Sequence, residues 1–254
     1  MPVPTLSPDS PVWLPSWPGV RVFCSTRHGG VSALPFDSLN LGNHVGDNPD
    51  HVAQNRRRLA DSWGVQPVFL TQVHGTQVLE ITPQTPDGVE ADACWTRTPQ
   101  FACTIMVADC LPVLFYSPQA RVVAAAHAGW RGLAHGVLEN TLQVLGDQGA
   151  MDDLRVWLGP CIGPGAFEVG QDVFDALTGA DPLALSAFQP HTMPGKYLAD
   201  LPALARLRLR SQGVAVLQGN DSTPSWCTHH RADVFFSHRR DGLSGRFAAG
   251  IALC

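Results

Sequence analysis

Three short segments, Thr71-Gln-Val-His-Gly75, Ala108-Asp-Cys-Leu-Pro112 and Ala126-His-Ala-Gly-Trp-Arg-Gly132, each set a soft metal-ligand side chain beside a Gly or Pro that fixes the local backbone. Read together, His74, Cys110 and His127 offer two imidazoles and one thiolate. That donor set suits a catalytic zinc, which keeps a fourth position for water or substrate, whereas a closed structural site takes a fourth protein ligand. The separations, 36 residues from His74 to Cys110 and 17 from Cys110 to His127, match no compact metal-finger pattern. Taken singly, each residue has an ordinary alternative. A lone Cys is usually a small core hydrophobe, and a lone His at a strand end is usually structural.

For residues so far apart to meet, the elements that carry them must end in one place. Short β-branched or apolar runs predict strands at 20–24, 68–73, 78–82, 103–107, 112–116, 121–126, 154–158 and 214–217. His74, Cys110 and His127 each follow one of these strands, and open α/β sheets place ligand sites at strand carboxyl ends. Helices are predicted at 51–63, after the capping sequence Asn48-Pro-Asp, and at 133–145, with Leu133, Val137, Thr141 and Val144/Leu145 on one face and a stop at Gly146. Two more are expected at 171–177 and 200–213, the latter with Leu204, Leu207 and Val214 as core contacts. Strand pairs mixed with crossover helices predict an α/β fold with a mixed sheet. One domain over 1–254 is expected, with 178–195 as an irregular excursion.

Other residues could support the same chemistry. Asp109, beside Cys110, could orient an imidazole or move a proton. Arg131, at the start of the helix after His127, could help hold an anion, although a tight strand-to-helix turn would look the same. Arg27-His-Gly-Gly30 and Asn40-Leu-Gly-Asn-His-Val-Gly-Asp47 are Gly-rich polar loops that either cradle a ligand or merely turn. The basic cluster Ser237-His-Arg-Arg-Asp-Gly242 with Gly245-Arg246 could hold phosphate or form a solvated face, the latter favoured for any single Arg. Gly159-Pro-Cys-Ile-Gly-Pro164 reads as a rigid turn with a structural Cys161.

Composition limits the partners. With 254 residues and 44% apolar content the chain can bury a full core without staples. Charged residues are 15%, and the net charge of −5 gives no field for nucleic acid. The first ten residues have no basic or apolar targeting pattern, and no run approaches the ~18 apolar residues of a membrane span. The expectation is a soluble, cytoplasmic protein without nucleic-acid or membrane partners. Seven scattered cysteines with no Cys-x-x-Cys pair fit reduced thiols.

Taken together, these segments resemble the laccase-domain family, also called the polyphenol-oxidase or peptidoglycan-editing-factor family. The resemblance covers nearly the whole chain. It rests on Thr26-Arg-His-Gly-Gly-Val-Ser32, Ser38-Leu-Asn-Leu-Gly42, Val45-Gly-Asp47 with Asn55-Arg56, Gln72-Val-His-Gly75, Ala91-Asp-Ala93 and Ala108-Asp-Cys-Leu-Pro-Val-Leu114. It continues through His127-Ala-Gly-Trp-Arg-Gly132, Gly159-Pro160, Glu168-Val-Gly170, Cys227-Thr228, and Phe236-Ser-His-Arg-Arg-Asp-Gly242 with Gly245-Arg246. Residues 178–195 match no family motif, and His238 stands where the family commonly has Tyr. The resemblance implies packed mixed sheets flanked by helices, similar in layout to the cytotoxic necrotizing factor catalytic domain, and a metal held by His74, Cys110 and His127.

It also implies zinc-dependent purine nucleoside phosphorylase activity on adenosine, inosine, guanosine and methylthioadenosine, with adenosine deamination. The substrates are then a purine nucleoside and phosphate. Asp109 and Arg131 are the candidates for catalysis, and Arg27, Asn43, Arg56 and Gln72 for substrate binding. An alternative is an amidase that removes L-serine from a peptidoglycan precursor with the same metal group. A third reading is a copper polyphenol oxidase, with Met106 as a weak axial ligand, but the chain has no His-x-His pair of the kind a multi-copper cluster uses. The fourth is a non-enzymatic protein whose His and Cys residues are core.

Overall fold

The computed structural model describes residues 13–179 and 181–254. The opening ten residues, on which the absence of a targeting pattern was judged, lie outside the described residues. In chain order the elements are β1 (Val20–Cys24), α1 (Pro49–Trp63), β2 (Gln66–Phe69), β3 (Val78–Glu80), β4 (Ala93–Thr96), β5 (Phe101–Val107), β6 (Leu111–Ser117) and β7 (Val122–Ala128). They continue with α2 (Trp130–His135), α3 (Val137–Asp147), β8 (Arg155–Leu158), β9 (Glu168–Gly170), α4 (Gln171–Thr178), β10 (Phe188–Pro190) and β11 (Lys196–Ala199). The last are α5 (Leu201–Ser211), β12 (Val216–Gly219), α6 (His238–Asp241) and β13 (Phe247–Leu253).

Two mixed sheets are stacked. One has the order β1-β13-β5-β2 and the other β12-β8-β6-β7-β4-β3, while β10-β11-β9 form a small third sheet. The two-residue alternation of a strand sorts the side chains between layers. From β5 and β13, Cys103, Ile105, Val107, Phe247, Ala249 and Ile251 point at the second sheet and meet Cys94, Leu114, Val123, Ala125 and Trp157. The intervening Ala102, Met106, Ala248 and Ala252 face Leu59 and Trp63 of α1. On the far side of the six-stranded sheet, Val113, Phe115, Ala124 and Ala126 pack on α2, α3 and α5 through Leu133, Leu138, Leu142 and Leu204. The order of layers is helix, sheet, sheet, helices. Strand β7, which lies between β6 and β4, is buried along its whole length and is built largely of alanine.

Local signals explain several helix ends. Asn48 accepts a hydrogen bond from the Asp50 N–H to cap α1, and Gly64 ends it in the left-handed region. Asp200 caps α5 by accepting from Ala203 N–H, with Pro202 in the first turn. No helix of the described residues is long and apolar enough to cross a membrane.

The structure corrects several predicted bounds. The helix expected at 133–145 is two helices, because Gly136 takes φ 96 between α2 and α3. The strand expected at 68–73 stops at Phe69, and residues 70–77 leave the sheet as an irregular link. β7 runs two residues further than expected, so His127 lies within the strand, opposite Pro112. The strand expected at 214–217 is β12, shifted towards the C-terminus; the carbonyls of Val214 and Ala215 are taken by the Arg210 guanidinium at 3.2 and 2.7 Å. The excursion 178–195 contains a 3-10 turn, Pro182–Ala187, and β10. β4, β9, β11 and the central β13 had no counterpart in the predicted set.

Phe115 is fully buried against the helix layer. Its replacement by Ala should remove about 3–5 kcal/mol of stability in denaturant titration. A loss below about 1 kcal/mol would contradict the layer assignment.

Candidate metal centre

The link between β2 and β3 and the turn between β5 and β6 both leave the four-stranded sheet and enter the six-stranded one. They cross at the same rim. There β5 ends opposite the start of β13, with Val107 paired to Phe247, and β6 begins opposite the end of β7, with Leu111 paired to Ala128. His74 lies on the first crossing and Cys110 on the second. His127, two residues beyond Ala125 in β7, shares the face that looks into the gap between the sheets.

Asp92, just before β4, holds these parts in register. Its side chain is fully buried. Oδ1 accepts from His74 N–H at 2.9 Å and faces His127 Nδ1 at 2.8 Å, and Oδ2 accepts from Val73 N–H at 3.1 Å and Gly75 N–H at 2.7 Å. The Asp92 carbonyl also accepts from His127 N–H at 2.7 Å. Burial alone would raise the Asp92 pKa, but the His127 ring and the Gly75 and Val73 N–H groups together pull it below the ordinary carboxylate value. With Nδ1 turned to Asp92, His127 presents Nε2 to the gap, the carboxylate–histidine relation that fixes ring orientation in metal sites. His74 and Asp109 take left-handed φ values of 61 and 93, a sparsely used region that His and Asp enter more readily than most residues.

The three ligand atoms lie within 4.8 Å of one another. Cys110 Sγ is 3.7 Å from His74 Nε2. A tetrahedral zinc with ordinary Zn–S and Zn–N bonds sets S and N about 3.6 Å apart, so this edge already has the size the metal needs. Gly129 completes the fit: a Cβ there would come within 2.7 Å of His74 Cδ2 and 3.0 Å of Cys110 Sγ. Burial raises the Cys110 pKa, yet the His127 and His74 imidazoles outweigh it and bring the thiol to about 6. Burial lowers that of His127, while the Cys110 thiolate and Asp92 carry it up to about 9. The residues fit a metal that takes two nitrogens and a thiolate.

The centre opens into a cavity of about 220 Å³ lined by the three ligand residues together with His44, Gln72, Met106, His238 and Arg246. The structure therefore brings Gln72 to the wall, where its amide makes two bonds to the Met106 backbone, at 2.8 and 2.9 Å. Arg56 lies behind Met106, donating to its Sδ at 3.8 Å and stacking on Phe69 at 4.1 Å. Arg56 and Asn43 line a second hollow of about 390 Å³ with Asp87. Asp109 is off the cavity wall. Its oxygens accept from Thr228 Oγ1 at 2.6 Å and Arg239 N–H at 2.7 Å. Arg27 is also off the wall, bonded to Asp37 and the Ala232 carbonyl, and Arg131 is exposed over the Trp130 ring. Sequence reasoning gave no site role to Asp92, left the loop of His44 open between cradling a ligand and turning, and left the cluster of His238 and Arg246 open between holding phosphate and a solvated face, the latter favoured for a single Arg. The available signals were a single acid between Ala91 and Ala93, and an Arg that directly precedes an apolar run.

A family model described as multi-copper polyphenol oxidoreductase laccase matches residues 21–254. The chain belongs to this laccase family. A purine nucleoside phosphorylase of Pseudomonas aeruginosa is 51% identical over 245 residues, covering 95% of this chain and 98% of that protein. The purine nucleoside phosphorylase YfiH of Escherichia coli is 49% identical, covering 94% and 98%. The crystal structure of a Neisseria meningitidis protein, 44% identical, superposes with a TM-score of 0.86 over 100% of this chain and 99% of that one. Despite the multi-copper label of the laccase family, His74, Cys110 and His127 are the one group of three or more His, Cys, Asp or Glu side chains placed to hold a metal among the described residues.

Replacing Asp92 by Asn should weaken zinc binding about 10–100-fold in a chelator competition, with far-UV circular dichroism checking the fold; unchanged affinity would contradict its orienting role. In protein stripped of metal by chelation, the thiolate of Cys110 forms as pH rises through about 6 and is lost below it. Its alkylation rate should show that midpoint, and zinc should protect it. A midpoint near that of a free thiol, about 8.5, would show that the imidazoles do not act on Cys110.

Proposed function

We propose that this protein is a zinc-dependent purine nucleoside phosphorylase acting on adenosine, inosine, guanosine and methylthioadenosine, with an accompanying adenosine deaminase activity, in the cytoplasm. The observation that carries the reading is the three-ligand centre at the floor of a cavity whose other walls include His44, His238 and Arg246. The names of the relatives in Pseudomonas aeruginosa and Escherichia coli support the choice of reaction. Zinc is preferred to copper because Met106, the one thioether on the cavity wall, is held by Arg56 as a hydrogen-bond acceptor.

In phosphorolysis a phosphate oxygen bonds to ribose C1′, the C1′–N9 bond breaks, and the purine leaves with a proton taken on a ring nitrogen. In deamination water replaces the C6 amino group and ammonia leaves. A zinc bound by His74, Cys110 and His127 would supply Lewis acidity and a water of lowered pKa. The chain's own residues supply the shape. Gln72 holds the Met106 wall in place, so a substrate meets a rigid surface. Asn43 and Arg56, in the second hollow, are assigned to the outer end of the nucleoside, since a cavity of about 220 Å³ is smaller than the usual site for a ligand of that size. Asp109 positions the Cys110 turn by tying it to Thr228 and Arg239. Arg27 acts at a distance by holding loops through Asp37 and the Ala232 carbonyl, and Arg131, exposed over Trp130, by adding positive charge.

Zinc-loaded protein should release hypoxanthine from inosine only when phosphate is present, and Cys110→Ala should lose at least about 10²-fold in kcat/KM. Free serine released from a nucleotide-linked sugar–serine precursor, with no base released from any nucleoside, would sink the proposal.

A further inference from the structure

Phosphorolysis needs a place for the attacking anion, and none of Arg27, Arg56 and Arg131 lines the cavity. We infer that Arg246 and His44 form an oxyanion subsite for inorganic phosphate in the wall of the metal-centre cavity. The assignment to phosphate as co-substrate rests on the phosphorylase reading. The existence of an anion subsite does not.

Charge is the first argument. Of the sixteen arginines, Arg27, Arg56, Arg208, Arg231 and Arg240 have a carboxylate within ion-pair distance among the described residues, so what singles out Arg246 is that an unpaired guanidinium stands on the cavity wall. Arg246, half-buried in the cavity wall, has none among the described residues. Its Nη1 donates to the Ser244 and Gly245 carbonyls at 2.9 and 3.1 Å, and its Nε and Nη2 meet no acceptor among the described residues. A guanidinium presents a planar fork of donors suited to phosphate oxygens. Burial lowers the Arg246 pKa, with Cys110 and Asp109 opposing, so the charge is kept at a desolvation cost.

The second argument is that the Arg246 backbone and the loop that carries His44 are built into place. A Cβ at Gly42 would meet Arg246 Cγ at 2.8 Å and His44 Cε1 at 3.4 Å, so the glycine lets the arginine lie against the loop that carries His44. Asn40 Oδ1 accepts from Arg246 N–H at 2.9 Å, and Asn40 Nδ2 donates to Asp47 at 2.9 Å. Buried Asn55 donates to the Asn40 carbonyl and to Ser32 Oγ, each at 2.9 Å. These supports fix the backbone from which both side chains project, and the Ser244 and Gly245 carbonyls hold Arg246 Nη1, which preorganises the remaining guanidinium donors for an anion.

The test uses zinc-loaded Arg246→Gln and His44→Asn, with metal content measured and the fold checked by circular dichroism. Phosphate binding is read without nucleoside, by calorimetry and phosphorus NMR line broadening. Both variants should weaken it, the Arg246 variant by at least about tenfold. In turnover, KM for phosphate should rise similarly while KM for inosine stays within about twofold. Wild-type protein that binds phosphate but turns over no nucleoside, with binding lost in the variants, keeps the subsite and removes the phosphorylase reading. Equal phosphate affinity in wild type and variants, or no binding to the wild type, overturns the subsite. If Arg246→Gln fails to fold or to load zinc, His44→Asn decides on the same criteria.

Discussion

The site depends on satisfying one buried charge. A carboxylate removed from water is expensive to keep unless donors replace its hydration. Asp92 receives four, three from consecutive backbone N–H groups at Val73, His74 and Gly75 and one from the His127 ring. These donors belong to different layers of the fold: the crossing between the two sheets and the end of a central strand. Solvating the carboxylate and positioning two metal ligands are therefore the same act. β2 itself ends where the chain turns to another partner, the Phe69 carbonyl accepting from Gly88 N–H at 2.7 Å and Thr71 N–H donating to the Val89 carbonyl at 2.9 Å, and Asp92 then takes the N–H groups of residues 73–75.

The stacked sheets then decide where such a centre can exist. A chain passing between two layers must break its regular hydrogen bonding at the rim, and there side chains can turn into the gap without displacing core. Cys110 and His74 use two such passages. The rim is closed by segments from opposite ends of the chain, joined where Arg246 N–H meets Asn40 and where Ala248 N–H meets Ser25 Oγ at 2.9 Å. The N-terminal loop, the metal centre and the last strand thus form one cooperative region.

Much of this was legible in the chain, for physical reasons that differ by residue. His74, Cys110 and His127 stood out because their side chains are rare and each lies near a Gly or Pro, and strands such as β5 and β6 because apolar side chains crowd them. The strand β13, Phe-Ala-Ala-Gly-Ile-Ala-Leu, escaped notice since small residues carry little β preference. They are required there by packing on both faces, between α1 and the second sheet. The break at Gly136 was hidden because apolar periodicity continues across it, and only the sign of φ reveals it. Asp92 and Arg246 have no periodic signature at all. Their meaning lies in which groups surround them, a property of the folded chain.

The alanines of β7 carry a consequence beyond the core. Ala124, Ala125 and Ala126 have no exposed surface, and they separate the helix layer on one side from the other sheet on the other. They act as a spacer whose thickness is set by single methyl groups. His127 is the next residue on the same strand, so the depth at which its imidazole stands in the gap follows from that thickness. Volume in this strand and the grip on a metal ion are one mechanical quantity. Drift at an apparently featureless alanine would be felt as chemistry at the rim.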